Sequence, residues 1–175
     1  MADIFGNYVF LAVTSYLTSF LCLLLAVLVL KANPKSRSCQ IAFLFNLSVS
    51  LWAFFYGSML LQKDSASGAL MCKLFTFGTI LLSLFFTHLV LVVVKQEKRK
   101  KKILCMDYLL SFPLMIILLS TRLIIAGSPP KLDFPSYAEG GPLYFLIPIH
   151  LFSNVIYSVW HLIRGIRTTK GHRRS

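Results

Sequence analysis

Acidic residues are scarce: six Asp and Glu stand in 175 positions, and all charged types together make up 14% of the chain, well below the roughly one quarter of an ordinary soluble domain. With 57% hydrophobic residues and a mean hydropathy of +0.73, so little charge excludes a water-soluble globule, whose exterior would be largely apolar. Lipid is the solvent that fits. Alternation of apolar and polar residues is also lacking, which excludes barrel strands. The four cysteines show no CxxC or mixed Cys/His spacing, so neither zinc nor a disulfide framework is expected. Cys22 falls in mid-membrane, Cys39 and Cys105 on one side of it, and Cys72 near the other. There is no Walker loop, GxSxG or HExxH, no carboxylate pair with a plausible common site, and no lysine deep in an apolar run. No catalytic residue, metal or cofactor is therefore expected.

What the chain does have is five apolar runs, at residues 8–30, 41–61, 71–94, 103–120 and 143–163. Each reaches the ~20 residues that a helix needs to cross the hydrocarbon layer. The expected fold is an all-α polytopic transmembrane bundle, one helical domain over residues 1–175 with a basic tail or linker at 164–175. The first run follows a start without a basic n-region and ends at Leu30, Lys31, Ala32 and Asn33. That is no small-residue cleavage pattern, so the run reads as a retained span.

Basic residues outnumber acidic ones by 18 to six, and their placement is lopsided. Lys31, Lys35 and Arg37 follow span one; Lys95, Lys98, Arg99, Lys100, Lys101 and Lys102 follow span three; Arg164, Arg167, Lys170, Arg173 and Arg174 follow span five. These fourteen share one side of an alternating path, against Lys63, Lys73, Arg122 and Lys131 on or near the other. The positive-inside rule then puts the amino terminus outside and the carboxyl terminus in the cytoplasm. Asp3, Asp64, Asp133 and Glu139 fall on the outer side, which agrees but decides little. The block from Lys95 to Lys102 is expected to meet anionic headgroups, at about 1 kcal/mol per charge near the surface. No aromatic residue interleaves it, so no nucleic acid is expected as partner.

Polar side chains inside the membrane must face other helices or a cavity. Span one carries Thr14, Thr18, Cys22 and Ala26; span two Asn46, Ser50, Ala53 and Gly57; span three Thr76, Thr79, Ser83 and Thr87. Each set steps by three or four residues, and close helix packing is the preferred reading. Span five differs, because His150, Asn154, Tyr157 and His161 keep the same rhythm with larger, chemically active groups. A structural hydrogen-bond network, a ligand or proton site, and interfacial anchoring of Tyr157, Trp160 and His161 all fit. His88 reads as a packed, hydrogen-bonded residue. Asp107, next to the lysine run, reads as an interfacial charge partner, and Lys73 as a residue whose head snorkels outward. Pro113 and Pro148 each remove a backbone hydrogen bond and are candidate kinks. Residues 121–142 hold four prolines and three glycines. They form a loop that can cover the bundle mouth, with Phe134 and Tyr137 returning toward the interface.

Taken in order, several segments resemble the amino-terminal seven-span sensor region of bacterial membrane histidine kinases. Ile41-Ala42-Phe43 through Leu51-Trp52-Ala53 to Tyr56-Gly57 is similar to that family's Phe, Trp and Gly positions. Lys73 to Gly78, then Phe85 to Leu91, resemble its kl-x-y-x-G and h-F-v-l patterns, with Leu89 in place of the usual Phe and Val94 near where many members carry Pro. Asp107-Tyr108, Phe112-Pro113 and Gly141-Pro142-Leu143-Tyr144 continue the likeness, and the end from Arg164 to Ser175 resembles the basic linker before a sixth helix.

The resemblance implies a sensory input module in a bacterial plasma membrane, a histidine-kinase output module or partner protein, and a homodimer. The chain ends where such a sensor would begin its last two helices, and it carries no phosphoacceptor or ATP-binding module. A truncated region, or one acting without its own kinase, is the expectation. His150, Asn154 and Tyr157, with Trp52 and Tyr56 of span two, are the candidate ligand-binding residues. The alternatives are a small transporter or channel component using the span-five stripe as its pathway, or a structural assembly subunit. Against transport, five spans do not divide into paired repeats.

Overall fold

Five helices carry the apolar runs: α1 (Ala2–Ala32), α2 (Arg37–Leu60), α3 (Ser65–Val93), α4 (Lys101–Ser120) and α5 (Leu146–Gly171). All five are long and apolar enough to cross a membrane. The computed structural model describes the backbone of residues 2–131 and 134–171 and the side chains of 8–131 and 134–166. Asp133, Arg173 and Arg174, and the side chains of Asp3, Arg167 and Lys170, lie outside the described residues.

Local chemistry explains where the helices begin and end. α3 starts six residues before its apolar run because the Asp64 carboxylate accepts the Ser67 N–H (2.8 Å) and hydroxyl (2.9 Å), which cap the helix. The same two bonds hold the Asp64 carboxyl below its usual range. At the far end Lys95 takes a left-handed conformation (φ 57°). The Gln96 N–H then reaches Leu91 O and the Lys95 N–H reaches Val92 O, a closing motif more often built on glycine. α5 begins only at Leu146, after a turn whose Leu143 N–H donates to Leu123 O (2.8 Å). Pro148 therefore sits in the first turn, where its missing N–H removes no intrahelical bond; it is no kink. Pro113 does lie inside α4.

α3 is the centre of the packing. α2 lies between α1 and α3, while α4 and α5 both pack on α3 with no comparable packing between them. The α2 stripe faces its neighbours as its spacing predicts, with Ser50, Ala53 and Gly57 buried; the Asn46 amide instead donates to Ala42 O of its own helix. Ala26 of the expected α1 stripe is buried, but toward the start of the helix the inward face is offset to Ala12 and Ser19, where the Ser50 hydroxyl donates to Ser19 O at 2.8 Å. Thr18 is exposed. Thr14 and Thr18 bond carbonyls of their own helix, so neither needs an interhelical partner. On α3, Thr76, Ser83 and Thr87 are buried. Gly78 lets the α2 backbone come close, since a Cβ there would stand 2.9 Å from Trp52 Cα.

The connection after α4 is more ordered than a loop. β1 (Ile125–Gly127) pairs antiparallel with β2 (Glu139–Gly140), and β1 packs on α3. Ile124 and Ile125 are fully buried with Leu60, Cys72 and Leu118, and Ile147 belongs to the same core. The pair caps the end of the bundle opposite the basic loops. Phe134 packs on this core, whereas Tyr137 stays exposed beneath the Lys131 ammonium, 5.1 Å from its ring centre. Ser128 and Ser136 bond each other over Gly68, where any Cβ would collide with them. Lys73 does not simply snorkel: its Nζ donates to Leu119 O (3.3 Å) and Thr121 O (2.6 Å), carbonyls at the end of α4 that have no partner within their helix.

Candidate functional site

Because α4 and α5 lean on α3 without closing on each other, a cleft of about 530 Å³ opens between them, backed by Thr87. Most of its wall is apolar, from Ile103, Met106, Leu110, Leu114, Leu146 and Ile149. Its polar side is built by Asp107, His150, Ser153, Asn154 and Tyr157. Of the six acidic residues in the chain, Asp107 alone lies within a candidate span. It stands six residues from the start of α4, about 9 Å along the helix at 1.5 Å per residue. An ionisable group at that depth is costly and marks a functional site by default.

Asp107 and His150 keep only 11% and 12% of their side chains accessible. The Asn154 amide donates to Asp107 Oδ1 at 3.1 Å, and His150 Nδ1 lies 3.9 Å from the same oxygen. His150 Nε2 is 3.3 Å from both Ser111 Oγ and Asn154 Nδ2, while Ser111 gives its proton to Asp107 O at 2.7 Å. Asp107 is thus no interfacial partner of the lysine run. Its side-chain polar contacts are to Asn154 and His150 of α5.

Among the described residues, three buried side-chain polar atoms have no hydrogen-bond partner: Asp107 Oδ2, Tyr157 Oη and His161 Nδ1. All three lie along α5 or on the α4 face opposite it. Buried polar atoms are nearly always satisfied, so this seam is where the bundle is incomplete as a hydrogen-bonding structure. Tyr157 and His161 contact each other edge to face at 4.5 Å.

His150, Asn154 and Tyr157 therefore come together as their spacing suggested. Trp52 and Tyr56 do not join them: their rings stack 6.0 Å apart and both meet Phe75 in the α2/α3 seam, outside the cleft. Asp107 and Ser111 were hidden by their proximity to the lysine run, although their i, i+4 spacing places both on one face. Thr87, expected as a packing residue, bridges to α5, where the Ser158 hydroxyl donates to it at 3.0 Å.

A second polar cluster lies at the basic end. His88 is buried with Nδ1 2.9 Å from Tyr108 Oη and Nε2 3.0 Å from Glu97 Oε1. Arg37 Nε donates to the same oxygen at 3.2 Å. His88 is packed and hydrogen-bonded as its sequence position implied. Its bond, then that of Arg37, holds the Glu97 carboxyl below its usual range. Four separate segments meet there: the first residue of α2, α3, the 94–100 loop and α4. Lys95, Lys98 and Arg99 lie in that loop or at its start, while Lys101 and Lys102 open α4; no acidic residue occupies the first turn to offset them.

Nothing among curated proteins or solved structures matches the chain. The family model described as the N-terminal 7TM region of histidine kinase matches residues 14–175. With five helices long and apolar enough to cross a membrane beneath that match, the chain belongs to the N-terminal seven-span region of histidine kinases, a multi-pass membrane sensory module distinct from the catalytic kinase domain.

Proposed function

We propose that the stimulus acts at the α4/α5 cleft, and that repacking of α5 against α3 carries it to a histidine-kinase output module on the cytoplasmic side. The observation that carries this reading is Asp107, the one carboxylate within the spans, buried against α5 with an unpartnered oxygen. In this reading the basic loops face the cytoplasm and anionic headgroups of a bacterial plasma membrane. The sequence supports that orientation by placing fourteen of its 18 basic residues on one side of the alternating five-span path. The headgroups also offset the cationic start of α4, which opposes the helix dipole. A polar route from end to end, which transport would need, finds no support in a cleft walled mostly by apolar side chains.

The test is a chimera in which residue 175 continues into a histidine-kinase output module, with autophosphorylation measured in membranes. Asp107→Asn and Asn154→Leu should each fix the output at a level that stimulus no longer changes. Both variants responding as the parent does would reject the cleft as the input site.

A further inference from the structure

We propose that the cleft takes a membrane-partitioned amphiphilic amine, an apolar chain headed by an ammonium that sits on Asp107 Oδ2. The inference rests on the cleft being the input site and adds the chemistry of what enters it. The head is set by the unpartnered oxygen. Asp107 Oδ1 already receives the Asn154 amide, whereas Oδ2 is buried and receives nothing among the described residues, and a carboxylate oxygen can only be satisfied by a donor. An ammonium brings three donors and the compensating charge. An anionic head is excluded by the carboxylate itself, and among the described residues no Lys or Arg lines the cleft.

The tail is set by the walls. Met106, Leu110 and Ile149 are 61%, 66% and 57% exposed, lie within the spans and form the rim of the cleft. The mouth therefore opens sideways into acyl chains, and a ligand arrives through the bilayer. The volume of about 530 Å³ lies in the ordinary range of small-ligand sites.

The experiment uses the full chain in nanodiscs of phosphatidylcholine, where no anionic lipid recruits the probe. The probe is dodecylamine bearing a mid-chain diazirine; labelled residues are read by mass spectrometry. Labelling should concentrate on α4 and α5 residues lining the cleft and should be displaced by dodecylamine but not by dodecanoate or dodecanol. Asp107→Asn should lower it about tenfold, the usual scale for losing a hydrogen bond to a charged group. Leu110→Trp keeps the carboxylate, fills the cleft from a lipid-facing position and should lower labelling as strongly; it decides the matter if Asp107→Asn fails to fold. Labelling spread equally over the exposed face of α1, labelling that survives in either folded variant, or displacement by all three amphiphiles would overturn the proposal. Failed labelling alongside an altered response of Asp107→Asn in the chimera would leave the cleft as the input site for a different stimulus. Specific labelling with unchanged chimera output would instead keep the amine site and reject its role in signalling.

Discussion

The pairing of Asp107 with Asn154 makes a quantitative prediction about stability. Asn154→Leu removes the one protein hydrogen bond that the Asp107 carboxylate receives among the described residues, leaving only His150 Nδ1 at 3.9 Å. Interhelical hydrogen bonds in membrane proteins average ~0.6 kcal/mol with a maximum of ~1.7, and bonds to charged groups in soluble proteins run about 1.5 to 3. A buried carboxylate acceptor at 3.1 Å places the expected loss near 1.5 kcal/mol, about tenfold in the unfolding equilibrium. Asp107→Leu removes the costly group itself and strands only a neutral amide that keeps His150 within 3.3 Å, so its loss should be smaller, ~0.5 kcal/mol. Combining them leaves neither group stranded, and the double variant should return to within ~0.5 kcal/mol of the parent. The assay is reversible unfolding in mixed micelles titrated with dodecyl sulfate, followed by helical ellipticity. Single effects that merely add in the double variant would refute the coupling and with it the account of this seam.

Three further predictions address other parts of the molecule. Gly78→Ala places a Cβ 2.9 Å from Trp52 Cα and 3.1 Å from Trp52 N, backbone atoms that cannot swing aside. The same titration should show a loss of about 1 to 3 kcal/mol, and unchanged stability would mean that α2 and α3 are not in such close contact. Glu97, held below its usual range by His88 and Arg37, stabilises the basic-end loop above the unfolded carboxyl value of about 4.3 and loses that effect as pH falls through its lower folded value. Hydrogen exchange in residues 94–100 should thus be slower than in Glu97→Gln at neutral pH, with the difference vanishing on acidification; a constant difference would contradict it. For orientation, an impermeant thiol reagent added outside cells should reach a cysteine placed at Glu139 and miss one at Lys98, with the exposed native Cys105 replaced by Ser. Ser136 would be a poor reporter because it is buried on Ser128.

What was legible in the sequence follows from what a one-dimensional pattern can encode. Length and apolarity placed five helices, and a step of three and four residues put His150, Asn154 and Tyr157 on one face of α5, where they line the cleft. Spacing reports which residues share a face and says nothing about which face meets which. Asp107 and Asn154 lie 47 residues apart, and no local signal joins them. The offset on α1 has another cause: a threonine that bonds a carbonyl of its own helix is self-sufficient in lipid, so Thr14 and Thr18 imitate an inward stripe without being one. Strands of three and two residues are too short to show a period, which is why the cap read as loop. Trp52 and Tyr56 carried a likeness to a family, and likeness does not say which neighbour a ring stacks on.

The two polar clusters are connected through consecutive residues of α3. Thr87 faces α5, receiving the Ser158 hydroxyl at 3.0 Å and lying 3.4 Å from Asn154 O. His88, the next residue, faces α4 and the basic loop through Tyr108 and Glu97. Successive residues of a helix point about 100° apart, so one rotation of α3 changes both seams at once. A shift of α5 at the cleft that broke the Thr87 contacts would cost roughly 1 kcal/mol, at ~0.6 for each interhelical bond. That moves a two-state equilibrium by about fivefold, enough to bias a switch but too little to drive one that is strongly closed. The remainder must come from the occupant of the cleft, which can shift the balance only by the difference in its affinity for the two packings. A carboxylate with one satisfied and one unsatisfied oxygen supplies such a difference, because a motion that draws Asn154 away from Oδ1 leaves a donor ligand two acceptors in place of one.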